Sequence, residues 1–241
     1  MSYRIAVDTG GTFTDVVVAD ERGTLIVGKA LTTPTDIFSG LSEALDNAAS
    51  FMGVSMDTIL KETGVLTYGT TRSTNAIITS SAAKTALLLT EGFPDTLIYR
   101  HGGKREPLNL KMEFPDPYVP RRLTEEIRER INSEGGIETP LDVSQATSII
   151  EALKPKGIEA IAVSFLWSIM NPAHELQIGE LITNILPNVP YTLSHQLNPI
   201  IREFPRTSST AIDASLKPLM QKHFLELETS LRGAGYEGEF L

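Results

Sequence analysis

Two β-rich runs separated by a pair of glycines constrain the fold of this chain more than any other feature. Residues 3–8 and 14–19 favour strands, and Gly10-Gly11 between them is a turn signal. A third β-rich run, residues 24–30, follows the turn-forming residues 20–23. Because these connections are too short for a crossover helix, the chain is predicted to begin with an antiparallel meander and not with a βαβ unit.

The first turn has the composition of a phosphate-binding loop. The two glycines let the backbone bend and expose its N–H groups to an anion, and the two threonines can add hydroxyl donors. The acid at the end of the first strand is placed to hold Mg²⁺ through water. A plain hairpin turn is the alternative, but the two flanking acids and two threonines favour a phosphate cradle. The predicted site comprises Asp8, Gly10, Gly11, Thr12, Thr14 and Asp15, with Asp8 as the metal-binding residue.

Beyond the meander, helical and strand patterns alternate along the chain. Asp36 is a predicted N-cap, and apolar residues follow helical spacing from there to Met52. Strands are predicted at 65–68, 85–89 and 158–165, and helices at 75–78, 144–153, 173–186 and 200–231. This order predicts an α/β fold in which the antiparallel meander leads into a mixed sheet with helices on both faces.

The domain organisation is predicted from the proline-rich middle and from the end of the chain. Residues 1–199 are expected to form one subdomain with an irregular insertion near 100–140, and residues 200–241 a long helix and the start of a second domain. Residues 239–241 resemble the first residues of a new strand. We therefore expect the chain to be a fragment of a longer polypeptide that stops before a second domain.

Composition excludes several classes of protein. The net charge of -9 argues against a nucleic-acid partner, because duplex binding needs many cations. The absence of cysteine excludes disulfides, cysteine-bound zinc and thiol chemistry. The apolar runs are too short to span a bilayer, and the first residues contain no signal-peptide core, so no membrane contact and a cytoplasmic location are expected.

Several motifs resemble one family. The pattern Asp-x-Gly-Gly-Thr-x-x-Asp resembles the first phosphate motif of the actin, hexokinase and Hsp70 ATPase superfamily, which implies a ribonuclease-H-like, actin-like core. Residues 69–76 resemble the Gly-Thr-Thr-x-x-Thr-Asn-Ala signature of the hydantoinase A / 5-oxoprolinase family. Further stretches resemble that family in the same order: Glu91-Gly92-Phe93, Val119-Pro120-Arg121-Arg122, Asn171-Pro172-Ala173-His174-Glu175 and Glu203-Phe204-Pro205-Arg206-Thr207-Ser208.

This resemblance implies an ATP- and Mg²⁺-dependent enzyme that phosphorylates the carbonyl oxygen of a lactam or hydantoin, with hydrolysis completed by a B-type partner subunit or domain in a hetero-oligomer. Residues 99–105 depart from the Arg-Gln-Asn-Arg type of sequence in hydantoinase-like members. A subunit of a ketone carboxylase, of the acetone or acetophenone type, therefore stays an alternative. A non-catalytic nucleotide-binding or assembly module is the third.

The resemblance also implies further site residues. Thr70 and Thr71 are predicted to contact the transferred phosphate or the substrate, although a simple strand-to-helix turn capped by threonine is an equal alternative. Predicted substrate contacts are Asn75, Arg100 and Arg206. Arg100 begins a basic cluster with His101, Lys104 and Arg105.

Other polar residues are predicted to be structural. An exposed ion pair with Glu203 at the start of a helix is an alternative for Arg206. Residues 121–131 alternate in charge and are predicted to form an exposed strand pair, with Glu125, Glu126 and Glu129 on its solvated face. His223 falls on an apolar helix face and is predicted to lie in the core.

Overall fold

The computed structural model describes residues 2–33, 36–102, 108–109, 111 and 113–241, so Lys104 and Arg105 lie outside the described residues. The strands are β1 (Tyr3–Thr9), β2 (Phe13–Ala19), β3 (Leu25–Leu31), β4 (Thr63–Thr70), β5 (Thr85–Thr90), β6 (Thr124–Ile127), β7 (Arg130–Ile131), β8 (Ile137–Thr139), β9 (Ala160–Ser164), β10 (Tyr191–Leu193) and β11 (Glu239–Phe240). The helices are α1 (Ile37–Met52), α2 (Met56–Glu62), α3 (Arg72–Ile78), α4 (Thr96–Tyr99), α5 (Val143–Leu153), α6 (Ala173–Ile185), α7 (Ser194–Leu197) and α8 (Glu203–Gly233), with 3₁₀ turns at Arg121–Leu123 and Lys154–Lys156.

These elements form two compact units. The first unit contains residues 1–81 and 220–241, and the second contains residues 82–219. The division at residue 199 that the sequence predicts, with a second domain beginning there, stays a prediction.

The sheet of the first unit confirms the predicted meander and the mixed sheet that follows it. β1 pairs antiparallel with β2, and β2 pairs antiparallel with β3. β4 lies parallel to β1, and β11 lies parallel to β4, which gives the order β11-β4-β1-β2-β3. This is the strand arrangement of a ribonuclease-H-like core. Its register places Asp8 between Asp15 on β2 and Gly69 on β4.

Alternating burial in β1 separates the two faces of this sheet. Ile5 and Val7 are buried, whereas Asp8 lies on the exposed face. α1 covers the buried face through Leu41, Ala44, Leu45 and Ala48. A Cβ on Gly28 of β3 would lie 1.9 Å from the carbonyl oxygen of Ala44, so glycine is needed for this close approach of strand and helix.

The sheet of the second unit is parallel, in the order β10-β9-β5-β6, and both of its faces are covered. Every residue of β5 and β9 is buried, which is the pattern of inner parallel strands. Thr192 in β10 donates a hydrogen bond to Asp213 of α8 at 2.6 Å, whereas the adjacent Tyr191 packs against Gly179 of α6. Because successive strand residues point to opposite faces, α6 and α8 cover opposite sides, as predicted.

The predicted strand pair over 121–131 is wrong. β6 pairs parallel with β5, and β7 pairs antiparallel with β8, so the segment does not pair with itself. Ile127 and Ile131 are both fully buried. The charged residues between these isoleucines made the segment look solvated, although it contributes to the core of the second unit.

The principal helix predictions are confirmed. Asp36 caps α1 by accepting a hydrogen bond from the Ser39 N–H group, and the predicted long helix is α8, which continues through Pro218. Among the described residues, none of the helices combines the length and the apolar character that crossing a membrane requires.

Candidate functional site

The turn between β1 and β2 is held in place from the end of β3. The Gly10 N–H group donates to the Phe13 carbonyl at 2.9 Å, which closes the turn. Thr32 donates its N–H to the Thr12 carbonyl at 2.9 Å and its hydroxyl to the Gly10 carbonyl at 3.0 Å. Within the described part of the chain, the N–H groups of Gly11 and Thr12 have no acceptor. The carbonyls of Gly10 and Thr12 are therefore hydrogen-bonded to Thr32, whereas the exposed N–H groups of Gly11 and Thr12 stay free to bind a ligand.

Thr14 and Asp15 begin β2 on opposite faces of the sheet. The Thr14 hydroxyl is buried and lies 3.0 Å from the hydroxyl of Thr32, so it helps to position the residue that bonds the carbonyls of the turn. Asp15 accepts a hydrogen bond from Lys29 at 2.7 Å on the exposed face. A direct role of either residue in ligand binding stays a prediction.

Asp8 is placed where a hydrated cation could be held. It is the last but one residue of β1 and lies on the exposed face, and a Cβ on the neighbouring Gly69 would lie 4.0 Å from its Oδ1 atom. The missing side chain at Gly69 therefore leaves this carboxylate open. No group of three or more acidic, histidine or cysteine residues that could enclose a metal occurs among the described residues, so a metal at Asp8 would keep most of its water ligands.

The turn from β4 into α3 is fastened beside this loop. The Thr70 hydroxyl donates to the Thr9 carbonyl at 3.1 Å and accepts from the Arg72 N–H at 3.2 Å, and the Thr71 N–H donates to the same carbonyl at 3.3 Å. Thr71 occupies the N-cap position of α3, but its side chain makes no capping bond. Its hydroxyl is exposed and faces no competing helix contact.

Asn75 brings α3 against the glycine turn. Its Nδ2 atom lies 3.7 Å from the position that a Cβ on Gly11 would occupy. The first unit therefore assembles a cluster of predicted site residues from two separate stretches of sequence, residues 8–12 and 70–75. The cluster consists of Asp8, Gly10, Gly11, Thr12, Thr70, Thr71 and Asn75.

The sequence analysis did not single out two neighbours of this cluster, Tyr68 and Arg72. Tyr68 of β4 is buried, and its hydroxyl lies 3.0 Å from Nε2 of His223, which is in the core as predicted. Burial raises the pKa of Tyr68 and lowers the pKa of His223, and the charge of Arg72 lowers both. Arg72 has a buried Nε atom without a partner in the described structure. A basic residue directly after a Gly-Thr-Thr turn is the signal that could have drawn attention to it.

In the second unit, the expectation of an exposed ion pair at Arg206 is wrong. The residue is only 1% exposed, and its Nη2 group donates to the Phe165 carbonyl at 2.7 Å. Burial lowers its pKa. Arg100, in contrast, is exposed at the end of α4.

The solvated position predicted for Glu129 is also wrong, because that residue is 2% exposed. It accepts hydrogen bonds from the hydroxyl of Thr90 and, at 2.8 Å, from Nδ1 of His174. Burial raises its pKa. The signal was present in the sequence, since Glu129 lies two residues from both Ile127 and Ile131 and so shares their buried face.

Glu175 is the centre of a polar cluster around the turn that follows β9. It accepts hydrogen bonds from the Phe165 N–H at 2.9 Å, the Ser194 hydroxyl at 2.6 Å and Nδ1 of His195 at 2.6 Å. Burial alone would raise the pKa of Glu175, but these hydrogen bonds hold it below its ordinary value. The same turn contains Trp167 at φ +54°, an unusual conformation for a large residue. The cluster fixes this turn, and the sequence analysis did not assign it.

The fold and the glycine turn together define the class of protein. A meander with a phosphate-loop composition, followed by two parallel strands, is the arrangement of an actin-like ATPase core. The family model described as the hydantoinase/oxoprolinase N-terminal region matches residues 4–186. The chain belongs to this family.

The relatives include a caprolactamase subunit, a ketone carboxylase subunit and a protein without a described activity. The chain is 33% identical over 235 residues to the caprolactamase subunit alpha of Pseudomonas jessenii, covering 97% of this chain and 34% of that protein. It is 34% identical over 250 residues to the acetophenone carboxylase gamma subunit of Aromatoleum aromaticum, covering 98% of this chain and 34% of that protein. An uncharacterized protein of Methanocaldococcus jannaschii is 37% identical over 246 residues, covering 100% of this chain and 35% of that protein.

A solved relative has the same fold. The crystal structure of the ATP-dependent caprolactamase from Pseudomonas jessenii superposes with a TM-score of 0.87 at 32% identity, over 98% of this chain and 35% of that one. The chain thus spans about a third of the length of these relatives.

Proposed function

We propose that this chain supplies a phosphate-binding part of an ATP-dependent enzyme that activates the carbonyl group of a lactam or hydantoin. The observation that carries the proposal is the turn at Gly10–Thr12, whose carbonyls are tied to Thr32 while two N–H groups stay free. Family membership and an ATP-dependent relative support it. The second phosphate motif and the adenosine pocket would come from sequence outside these 241 residues, and the isolated chain is accordingly expected to be inactive.

The chemistry explains why ATP is needed. An amide carbonyl is a poor electrophile, and transfer of a phosphoryl group to its oxygen makes the carbonyl carbon open to attack by water. The C–N bond then breaks with the amine as the leaving group, and a second water hydrolyses the resulting acyl phosphate to the carboxylate and inorganic phosphate. Catalysis of such a transfer depends mainly on positioning and on neutralising charge. The free N–H groups of Gly11 and Thr12 would orient phosphate oxygens, and Thr71 and Asn75 would add neutral donors. Thr70, whose hydroxyl already donates to the Thr9 carbonyl, would hold the turn in position.

A magnesium ion would fit beside Asp8, whose carboxylate is exposed and faces the bare Gly69. When bound there through water, the ion would supply positive charge to the phosphates. Asp8 would orient that hydrated ion, which makes it the residue most sensitive to substitution.

Carboxylation of a ketone is the second candidate, because the acetophenone carboxylase subunit is about as similar to this chain as the caprolactamase subunit. In both cases the relatives are named as subunits, so we propose a hetero-oligomer with a B-type partner. Arg100 is exposed and available to an anionic substrate, whereas a substrate contact by Arg206 would require its buried side chain to be uncovered.

The test is ATP turnover by the full-length gene product purified with its partner, with lactams, hydantoins, 5-oxoproline, or ketones plus bicarbonate as substrates. Asp8→Ala is expected to reduce turnover at least a hundredfold, because it removes the group that orients the metal. Asp46→Ala removes an equal charge from the exposed face of α1 and should leave turnover unchanged. Full turnover by the Asp8 variant would refute the proposed site.

A further inference from the structure

Arg72 has a hydrogen-bonding group that no other described residue satisfies. The residue begins α3, directly after the Gly69–Thr71 turn, and its side chain is half-buried. Its Nε atom is shielded from solvent and has no acceptor among the described residues. A buried donor without a partner is costly, so this side chain can gain free energy from an acceptor that the described residues do not supply.

The backbone that carries Arg72 is anchored next to the glycine turn, because Thr70 and Thr71 both donate hydrogen bonds to the carbonyl of Thr9. Residues three apart on a helix share a face, so Arg72 lies on the same side of α3 as Asn75. Asn75 in turn approaches Gly11, with 3.7 Å between its Nδ2 atom and the place of a Cβ there. The backbone of Arg72 is fixed as well, since its N–H donates to the Thr70 hydroxyl at 3.2 Å.

The charge of Arg72 is also uncompensated. None of the ion pairs between described residues includes this guanidinium, although the chain carries a net charge of -9. Burial raises the pKa of Tyr68 and the positive charge of Arg72 opposes that rise, whereas for His223 burial and the charge of Arg72 both lower the pKa. An arginine without an ion-pair partner, in a segment that contacts a turn with free backbone N–H groups, is suited to binding phosphate oxygens.

We propose that Arg72 donates hydrogen bonds to a phosphate group of the nucleotide held at the Gly10–Thr12 turn. This inference rests on the proposed function and adds a charged contact to a site otherwise built from neutral donors. Position 72 is one of the two unspecified places in the Gly-Thr-Thr-x-x-Thr-Asn-Ala signature. Arg72 would therefore strengthen the shared site without being part of the signature itself.

The experiment compares nucleotide affinities of the full-length gene product by isothermal titration with Mg·ATP and with AMP. Arg72→Gln is expected to weaken Mg·ATP binding at least tenfold, the loss of a charge-assisted hydrogen bond. Binding of AMP should change less than threefold, because AMP lacks the terminal phosphates. Arg72→Lys should fall between wild type and Arg72→Gln, since it keeps the charge but not the guanidinium.

Arg22→Gln is the matched control. It removes the same charge from the exposed turn at the other end of β2 and should not change either affinity. Equal Mg·ATP affinity in the Arg72→Gln and Arg22→Gln variants would overturn the inference while leaving the proposed function intact. Equal losses for ATP and AMP with a lowered melting temperature would show a structural role and overturn it too. Wild type that fails to bind Mg·ATP would overturn both proposals.

Discussion

Gly11 has no side chain at the point where Asn75 approaches the turn between β1 and β2. A methyl group would make an ordinary contact with Asn75, because 3.7 Å separates the two positions, but a branched side chain would fill the space above the free N–H groups. Glycine at this position is therefore needed to let a ligand reach the backbone N–H groups more than to allow the conformation of the turn.

Substitution of Gly11 should separate binding from stability. We expect Gly11→Val to weaken Mg·ATP binding at least tenfold, because its side chain blocks the approach of a phosphate to the backbone donors. The free energy of unfolding should change by less than about 1 kcal/mol, since the site is exposed. Titration and urea denaturation measure the two effects, with Gly11→Ala as the milder control. A Gly11→Val protein with wild-type affinity would show that the phosphates bind elsewhere.

At the residue scale, the two predicted motifs lie side by side in the fold, since Thr70 and Thr71 both contact the Thr9 carbonyl, but the ligand-binding roles of their residues stay predictions. The expectations for individual charged residues were wrong where the charge is buried. Glu129 and Glu175 were missed because charged residues are assigned to the surface by default. Their buried position depends on partners that are 39 and 20 residues away, namely Thr90 and His195.

At the scale of elements, the turn after β9 depends on a carboxylate with a lowered pKa. Glu175 is held in its charged form by hydrogen bonds from Phe165, Ser194 and His195. A carboxyl group with a depressed folded-state pKa stabilises the protein above its unfolded pKa of about 4.3, and this contribution is lost as the pH falls through the folded-state value. Glu129 has a raised pKa and behaves in the opposite sense.

Neutral substitutions should therefore affect the two glutamates differently. Glu175→Gln is expected to lower the free energy of unfolding at pH 7 by about 3 kcal/mol, because it removes the charge around which the turn is organised. Glu129→Gln should cost at least about 1 kcal/mol less, since burial disfavours its charged form. Urea denaturation between pH 7 and pH 4 would show a smaller loss of stability for Glu175→Gln than for wild type. Equal effects of the two substitutions would contradict this account.

Elements with a continuous pattern were predicted better than elements that depend on distant partners. α1 and α8 follow from helical spacing and caps, and β5 and β9 from apolar runs. β6 could not be placed from its own sequence, because its partner is β5, far back in the chain. The pairing is decided by burial of Ile127, which a local charge pattern conceals.

At the scale of the whole molecule, the sequence identifies the family, but similarity to relatives does not identify the substrate. Lactam hydrolysis and ketone carboxylation are found among relatives of nearly equal similarity, and the chain spans about a third of their length. The nucleotide site proposed above would be compatible with both activities. The groups that select a substrate would then lie largely outside the phosphate-binding turn.

The most direct measurement is a crystal structure of the full-length gene product with Mg²⁺ and a non-hydrolysable ATP analogue. We predict a phosphate oxygen within hydrogen-bonding distance of the Gly11 and Thr12 N–H groups, with a hydrated Mg²⁺ beside Asp8. A nucleotide bound with its phosphates away from this turn, and with both N–H groups still free, would contradict the account.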